Sequence, residues 1–292
     1  TFPVSAIGLT ASMIQRAAAS QKRINEFLET EPTINEPAGA VAISLQGNIQ
    51  FENVGFVYKD TGIKALNNFN LQVKKGEKIA IVGRTGSGKT TIAQLLLRIY
   101  DPTDGVIILD GVNIKNISLK TVREQISYVS QDVFLFSDTV HNNIAFGEEK
   151  ADAAAVEKAA VQAGVHNEIL GFSEGYQTMI GERGVTLSGG QKQRISIARA
   201  LVKDPSLVIF DDCLSAVDVK TEKQIIGNLN EYLRDKTAII ITHRIFSLLS
   251  FDKIVVLEDG VIVEQGTHQY LLAQKGFYAA LYARQQEMER EP

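Results

Sequence analysis

The sequence predicts an α/β fold made of two unlike sheets and a helical insertion. Unbroken apolar runs at Ile79-Ala80-Ile81-Val82, Val106-Ile107-Ile108-Leu109, Leu207-Val208-Ile209-Phe210, Ala238-Ile239-Ile240-Ile241 and Ile254-Val255-Val256-Leu257 suit strands of a parallel sheet covered on both faces. The alternation of Ile49 and Phe51, then Val54, Phe56 and Tyr58, suits an antiparallel sheet with one exposed face. Its change of parity predicts a bulge or tight turn at Glu52-Asn53. Between about 139 and 204 the pattern turns mostly helical.

Taken in order, residues 1 to about 30 place Ile14, Ala17, Ile24, Phe27 and Leu28 near helical spacing, an amphipathic helix that Glu31-Pro32 should end. Glu36-Pro37-Ala38-Gly39-Ala40 has the composition of a linker. Two readings of this helix stay open: the tail of something removed, or a helix packed on its own domain. Phe69-Leu71-Val73 alternates and meets Ile79 to Val82 across Lys74-Lys75-Gly76-Glu77, which predicts a hairpin-like connection. Ala151 to Ala163 is a periodic alanine-rich helix with Gly164 placed to stop it, and Gln191 to Val202 is a second helix closed by Asp204-Pro205. A last apolar helix runs from Gly276 to about Glu287, followed by a charged tail.

Composition narrows the function. The 292 residues are 45% hydrophobic and 22% charged, an ordinary globular balance. A net charge of −4 without a Lys/Arg block argues against nucleic acid as a partner. A single cysteine, Cys213, rules out an internal disulfide framework. No stretch of about 18 apolar residues is present to span a bilayer.

The strongest motif is Gly83-Arg84-Thr85-Gly86-Ser87-Gly88-Lys89-Thr90, a full match to G-x-x-x-x-G-K-[ST], followed by the helical run from Thr91. Glycines let successive N–H groups and a helix N-terminus point at phosphate oxygens. Lys89 would reach the β/γ-phosphates, and the Thr90 hydroxyl would hold Mg²⁺. Leu207 to Phe210 ends in Asp211-Asp212, where one carboxylate can bind Mg²⁺ and its neighbour can orient water. Leu187-Ser188-Gly189-Gly190-Gln191 opens another helix N-terminus suited to an anion.

At these motifs the chain resembles the ATP-binding cassette (ABC) family, whose signature is LSGGQ, and the resemblance covers about residues 46 to 285. It implies a P-loop NTPase (RecA-like) core with an antiparallel β subdomain and an inserted helical subdomain at about 134–204. Residues 1–45 would be the end of a membrane-domain helix and its linker, 46–285 the ATP-binding domain, and 286–292 a charged tail. The resemblance further implies that Tyr58 stacks on adenine, that Gly83 to Thr91 hold the phosphates, and that Ser188, Gly189, Gly190 and Gln191 meet the nucleotide of a second copy. Gln131 matches the Q-loop glutamine that contacts Mg²⁺ and water, Ser215-Ala216-Val217-Asp218 the D-loop, and His243 the switch histidine near the γ-phosphate. Thr90, Gln131 and Asp211 would be the metal ligands, and Asp212, His243 and Gln131 the catalytic groups. Gly181-Glu182-Arg183-Gly184 is similar to the loop of the exporter branch that touches the membrane domain.

The function implied is that of the ATPase part of an exporter of the multidrug or lipid type, at the cytoplasmic face of the cell membrane. ATP and Mg²⁺ would be bound between two cassettes closing head to tail, joined to a transmembrane domain of the same polypeptide. Asp212 departs from the family, which has glutamate there, and so predicts slow hydrolysis or a degenerate site. A heterodimer lending its intact signature to a partner and a slowly hydrolysing homodimer both fit. A nucleotide-gated binding module with little turnover, and a soluble non-transport ABC ATPase, are the other readings.

Overall fold

The computed structural model describes residues 2–146, 148, 150–181, 187–214, 219–242 and 251–290. The chain divides into two compact units, Thr1–Asn35 and Glu36–Pro292. The first holds α1 (Phe2–Leu28), none of whose residues is buried. Its exposed apolar side chains include Met13, Ile14, Ile24, Phe27 and Leu28. No helix among the described residues is long and apolar enough to cross a membrane.

In the second unit, β1 (Ile49–Val57), β2 (Lys64–Val73), β4 (Asp104–Leu109) and β5 (Val112–Asn113) form a sheet of order β2-β1-β4-β5. Its pairings are antiparallel. The register of β1 against β2 shifts between Phe51 and Val54, and Asn53 takes φ 49°, so the predicted bulge sits where the parity changed. The other sheet has the order β10-β9-β3-β8-β7-β6. It comprises β3 (Lys78–Val82), β6 (Ile126–Val129), β7 (Leu207–Asp211), β8 (Thr237–Ile241), β9 (Lys253–Glu258) and β10 (Val261–Gly266). All its pairings are parallel except β9 with β10.

Both faces of this sheet are covered, and strand alternation shows how. In β3, Ile79 and Ile81 join one core with α2 (Lys89–Leu96) and the antiparallel sheet. Ala80 and Val82 face the core of α9 (His268–Gln274) and α10 (Phe277–Arg290). In β7, Leu207 and Ile209 join the first core, whereas Val208 and Phe210 join a third. That third core gathers α4 (Val140–Ala145), α5 (Ala153–Gln162), α6 (His166–Leu170), α7 (Gly189–Leu201) and α8 (Val219–Tyr232). A short helix, α3 (Leu119–Gln125), leads into β6.

Two expectations are corrected. The turn at Lys74 to Glu77 exists, with Glu77 N donating to Lys74 O at 2.9 Å, but β2 and β3 lie in different sheets, so they form no hairpin. Val106 to Leu109 belongs to the antiparallel sheet, with an intermediate-to-buried pattern that a one-faced strand gives. The strands β6 and β10 were not foreseen: β6 has only four residues, and β10 alternates between exposed and half-buried positions.

Candidate functional site

The loop between β3 and α2 is clamped by backbone on two sides. A Cβ on Gly83 would lie 2.1 Å from Leu257 O, and one on Gly88 would lie 2.2 Å from Ala65 O. Gly88 also takes φ 98°, a left-handed conformation that disfavours any side chain. The loop is thus pressed between the ends of β9 and β2, with its direction into α2 fixed. No side chain caps α2, whereas Ser118, Thr139, Asp152, Ser188 and Thr267 cap α3, α4, α5, α7 and α9. The N–H groups of the first turn therefore face the loop without a competing side-chain oxygen.

Lys89, buried at the start of α2, donates to Gly83 O at 2.9 Å and Arg84 O at 2.7 Å. Burial lowers its pKa, and the charges of Asp211 and Asp212 oppose that shift. These two carboxylates reach the loop from β7, two strands away across β8. Asp211 is 1% exposed and accepts from the Tyr128 hydroxyl at 3.1 Å, and Thr90 at the start of α2 also favours its charged form. Burial still holds its pKa above the usual carboxylate value. Tyr128 is pushed well above the ordinary phenol value, first by burial and then by the Asp211 charge, so its hydroxyl is a donor. Asp212 turns off the strand with φ 45° and donates its N–H to Ile241 O at 2.7 Å.

This set fits a hard cation held with a nucleotide. No cluster of three His, Cys, Asp or Glu residues that could cage a metal occurs among the described residues. Mg²⁺ characteristically takes one or two carboxylates and fills its remaining positions with phosphate oxygens and water. Thr90 and Asp211 supply a hydroxyl and a carboxylate beside a glycine loop suited to an anion, which fits that chemistry.

The other expected site residues lie around this centre. Tyr58 follows β1, half-buried, with its hydroxyl donating to Gln94 Oε1 at 2.8 Å and 2.9 Å from Thr91 Oγ1. Its ring packs edge-on against Phe56 and Tyr100, at 4.8 and 5.5 Å between centroids. Gln131 is exposed in the loop after β6. Arg84 and Thr85 are exposed in the loop, and the Arg84 guanidinium lies 5.5 Å from the Phe277 ring centre, a contact from α10 that sequence reasoning missed. Ser188 caps α7 in a reciprocal box: Gln191 N donates to Ser188 Oγ at 3.2 Å, and Ser188 N donates to Gln191 Oε1 at 3.0 Å. An accepting hydroxyl still carries a proton to donate. His243, Ser215 to Asp218 and Glu182-Arg183-Gly184 lie outside the described residues. Tyr128 and Gln94 were not singled out as site groups, because their roles depend on which strand and helix stand beside them.

Comparison with known proteins places this geometry in a family. The ABC transporter family profile matches residues 66–215. The chain is 45% identical over 285 residues to a probable multidrug resistance ABC transporter ATP-binding/permease protein, YheI, of Bacillus subtilis, covering 98% of this chain and 49% of that one. It is 42% identical over 288 residues to an ATP-dependent lipid A-core flippase of Chromohalobacter salexigens, covering 98% of this chain and 50% of the flippase. A solved bacterial Atm1-family ABC exporter with ATP bound superposes with a TM-score of 0.88 at 37% identity, over 97% of this chain and 50% of that one. The chain thus spans about half the length of these relatives. With its glycine loop, paired carboxylates and Ser188-capped helix on that shared fold, the chain belongs to the ABC transporter family and carries its ATP-binding domain.

Proposed function

We propose that this chain binds and hydrolyses ATP to power an exporter, through head-to-tail closure of two cassettes. The observation that carries this reading is the uncapped N-terminus of α2, with buried Lys89, set against the Thr90–Asp211 pair. ATP would lie with its phosphates on Gly83 to Thr91 and its adenine against Tyr58. Bound Mg²⁺, held by Thr90, Gln131 and Asp211, would neutralise charge on the β- and γ-phosphates. Asp212 and His243 would stand near the γ-phosphate, Asp212 orienting the attacking water. On the opposite side, Ser188, Gly189, Gly190 and Gln191 of a second copy would supply donors. Triphosphate charge then favours the closed pair, and hydrolysis releases it.

The named relatives include a multidrug resistance transporter and a lipid flippase, which supports export as the work performed and a transmembrane domain as partner. The chain would then act at the cytoplasmic face of a membrane. Residues 1–45 would lead from that membrane domain, and 46–285 would form the cassette with its helical subdomain at about 134–204. A nucleotide-gated module with little turnover is the second reading, favoured by the short Asp212 side chain.

Steady-state ATPase assay with Mg²⁺, beside light scattering of Asp212→Asn with and without ATP, tests the proposal. Slow turnover by the parent and an ATP-dependent doubling of mass by the variant are expected. Dimers without any turnover would leave the binding module instead, and an unchanged mass at high protein concentration would remove the sandwich.

A further inference from the structure

We infer that Tyr128 is a positioning residue for the metal-binding carboxylate, its hydroxyl fixing the orientation in which Asp211 meets the cation. This role rests on the nucleotide-binding reading above. The geometry comes from strand register. Tyr128 on β6 pairs with Ile209 on the adjacent parallel strand β7, and Asp211 lies two residues further along β7. Side chains repeat every second residue, so Tyr128, Ile209 and Asp211 share one face of the sheet. That face carries the core under α2, against which Tyr128 packs. The phenol then reaches along the strand direction to Asp211 Oδ2, at 3.1 Å.

The Tyr128 hydroxyl, on the strand beside β7, is thus a donor that fixes this carboxylate from a separate element. An ionised carboxylate has about four acceptor sites, which leaves lone pairs for the cation or its water. With Asp211 only 1% exposed, solvent has little part in orienting it. Without the phenol, the carboxylate loses that donor and can rotate about its Cβ–Cγ bond. Tyr128 also stands three residues before Gln131, so β6 and the loop that follows it carry both the hydroxyl that sets Asp211 and the expected glutamine ligand. Space filling alone would be served equally well by phenylalanine, which keeps the ring against Ile209 and loses only the hydroxyl.

The test compares ATP affinity in EDTA with ATP affinity at saturating Mg²⁺, by calorimetry on the full chain. The ratio of the two dissociation constants measures what the metal contributes. Tyr128→Phe should leave the metal-free affinity within twofold of the parent and reduce the ratio roughly three- to tenfold, the scale of one net hydrogen bond. In an Asp211→Asn background the same change should have no further effect on the ratio, since the group it positions is gone. Urea unfolding without metal should stay cooperative in Tyr128→Phe, with a midpoint lowered only as far as the loss of one buried hydrogen bond accounts for. An unaltered ratio in Tyr128→Phe, with a parent whose affinity depends on metal, overturns the positioning role alone. A parent that binds no ATP in either condition overturns both this role and the function on which it rests.

Discussion

Two glycine-bearing helix N-termini in this molecule are built in opposite ways. At α2 the cap is Gly88, held at φ 98° by close packing, and no side chain accepts from the first turn. At α7 the cap is Ser188, and a reciprocal box with Gln191 satisfies donors at both ends of the turn. A side-chain cap contributes about 0.5–2 kcal/mol, so α2 forgoes stabilisation that α7 keeps. In the proposed function, this difference separates a ligand site from a ligand-ready surface. The α2 end leaves its N–H donors and a buried lysine for an anion within one chain. The α7 end is complete without a ligand and offers only spare donors, as the proposed contact with an anion held by a second copy would need.

The largest expected effect breaks the α2 side. Lys89→Ala should weaken ATP binding by roughly a hundredfold or more, because Asp211 and Asp212 would be left facing the phosphates without their counter-charge. Calorimetry that finds equal affinity in variant and parent would reject the loop assignment. Ser188→Ala, in the same assay on the single chain, should leave affinity unchanged.

Next in size is the carboxylate beside the loop. Asp212→Glu extends the acid by one methylene, and a misplacement of about 1 Å costs up to roughly a hundredfold in rate. Steady-state turnover should therefore rise toward that factor, with ATP affinity nearly unchanged. A glutamate variant no faster than the parent, where ATP-driven dimers form, would show that reach does not limit this site.

The α7 side should respond in stability and assembly. Ser188→Ala should cost about 1 kcal/mol in urea unfolding. In an Asp212→Asn background it should also abolish ATP-dependent dimers seen by light scattering. Retained dimers would mean that Ser188 serves its own helix only. Smallest is Gln191→Ala, which removes one hydrogen bond of the box and should cost about 0.5 kcal/mol on unfolding. A loss as large as that of Ser188→Ala would show that the box acts as one unit.

The parts of the site that could be read directly are those written in one short segment. Gly83 to Thr90 announces its geometry locally, since glycines permit the left-handed backbone at Gly86 and Gly88 and the helical run begins at once, although the backbone that clamps Gly83 and Gly88 comes from Leu257 and Ala65. Leu207 to Asp211 is likewise a strand whose acids fall at its end, and Ser188 to Gln191 is a box closed within four residues. The expected bulge near Asn53 was legible because a parity change in alternation has a local cause.

The sequence by itself determined that a glycine loop between strand and helix, an acid-ended strand and a capped glycine turn are present, because residue types a few positions apart announce each of them. Only the tertiary structure decided which sheet receives β2, β3 and β4, since apolar periodicity reports a buried face and not the partner strand. It also decided that Tyr128 holds Asp211, 83 residues away, and that Arg84 lies over Phe277 of α10. Those contacts follow from strand order and helix placement, quantities set by how three cores pack together and carried by no local pattern.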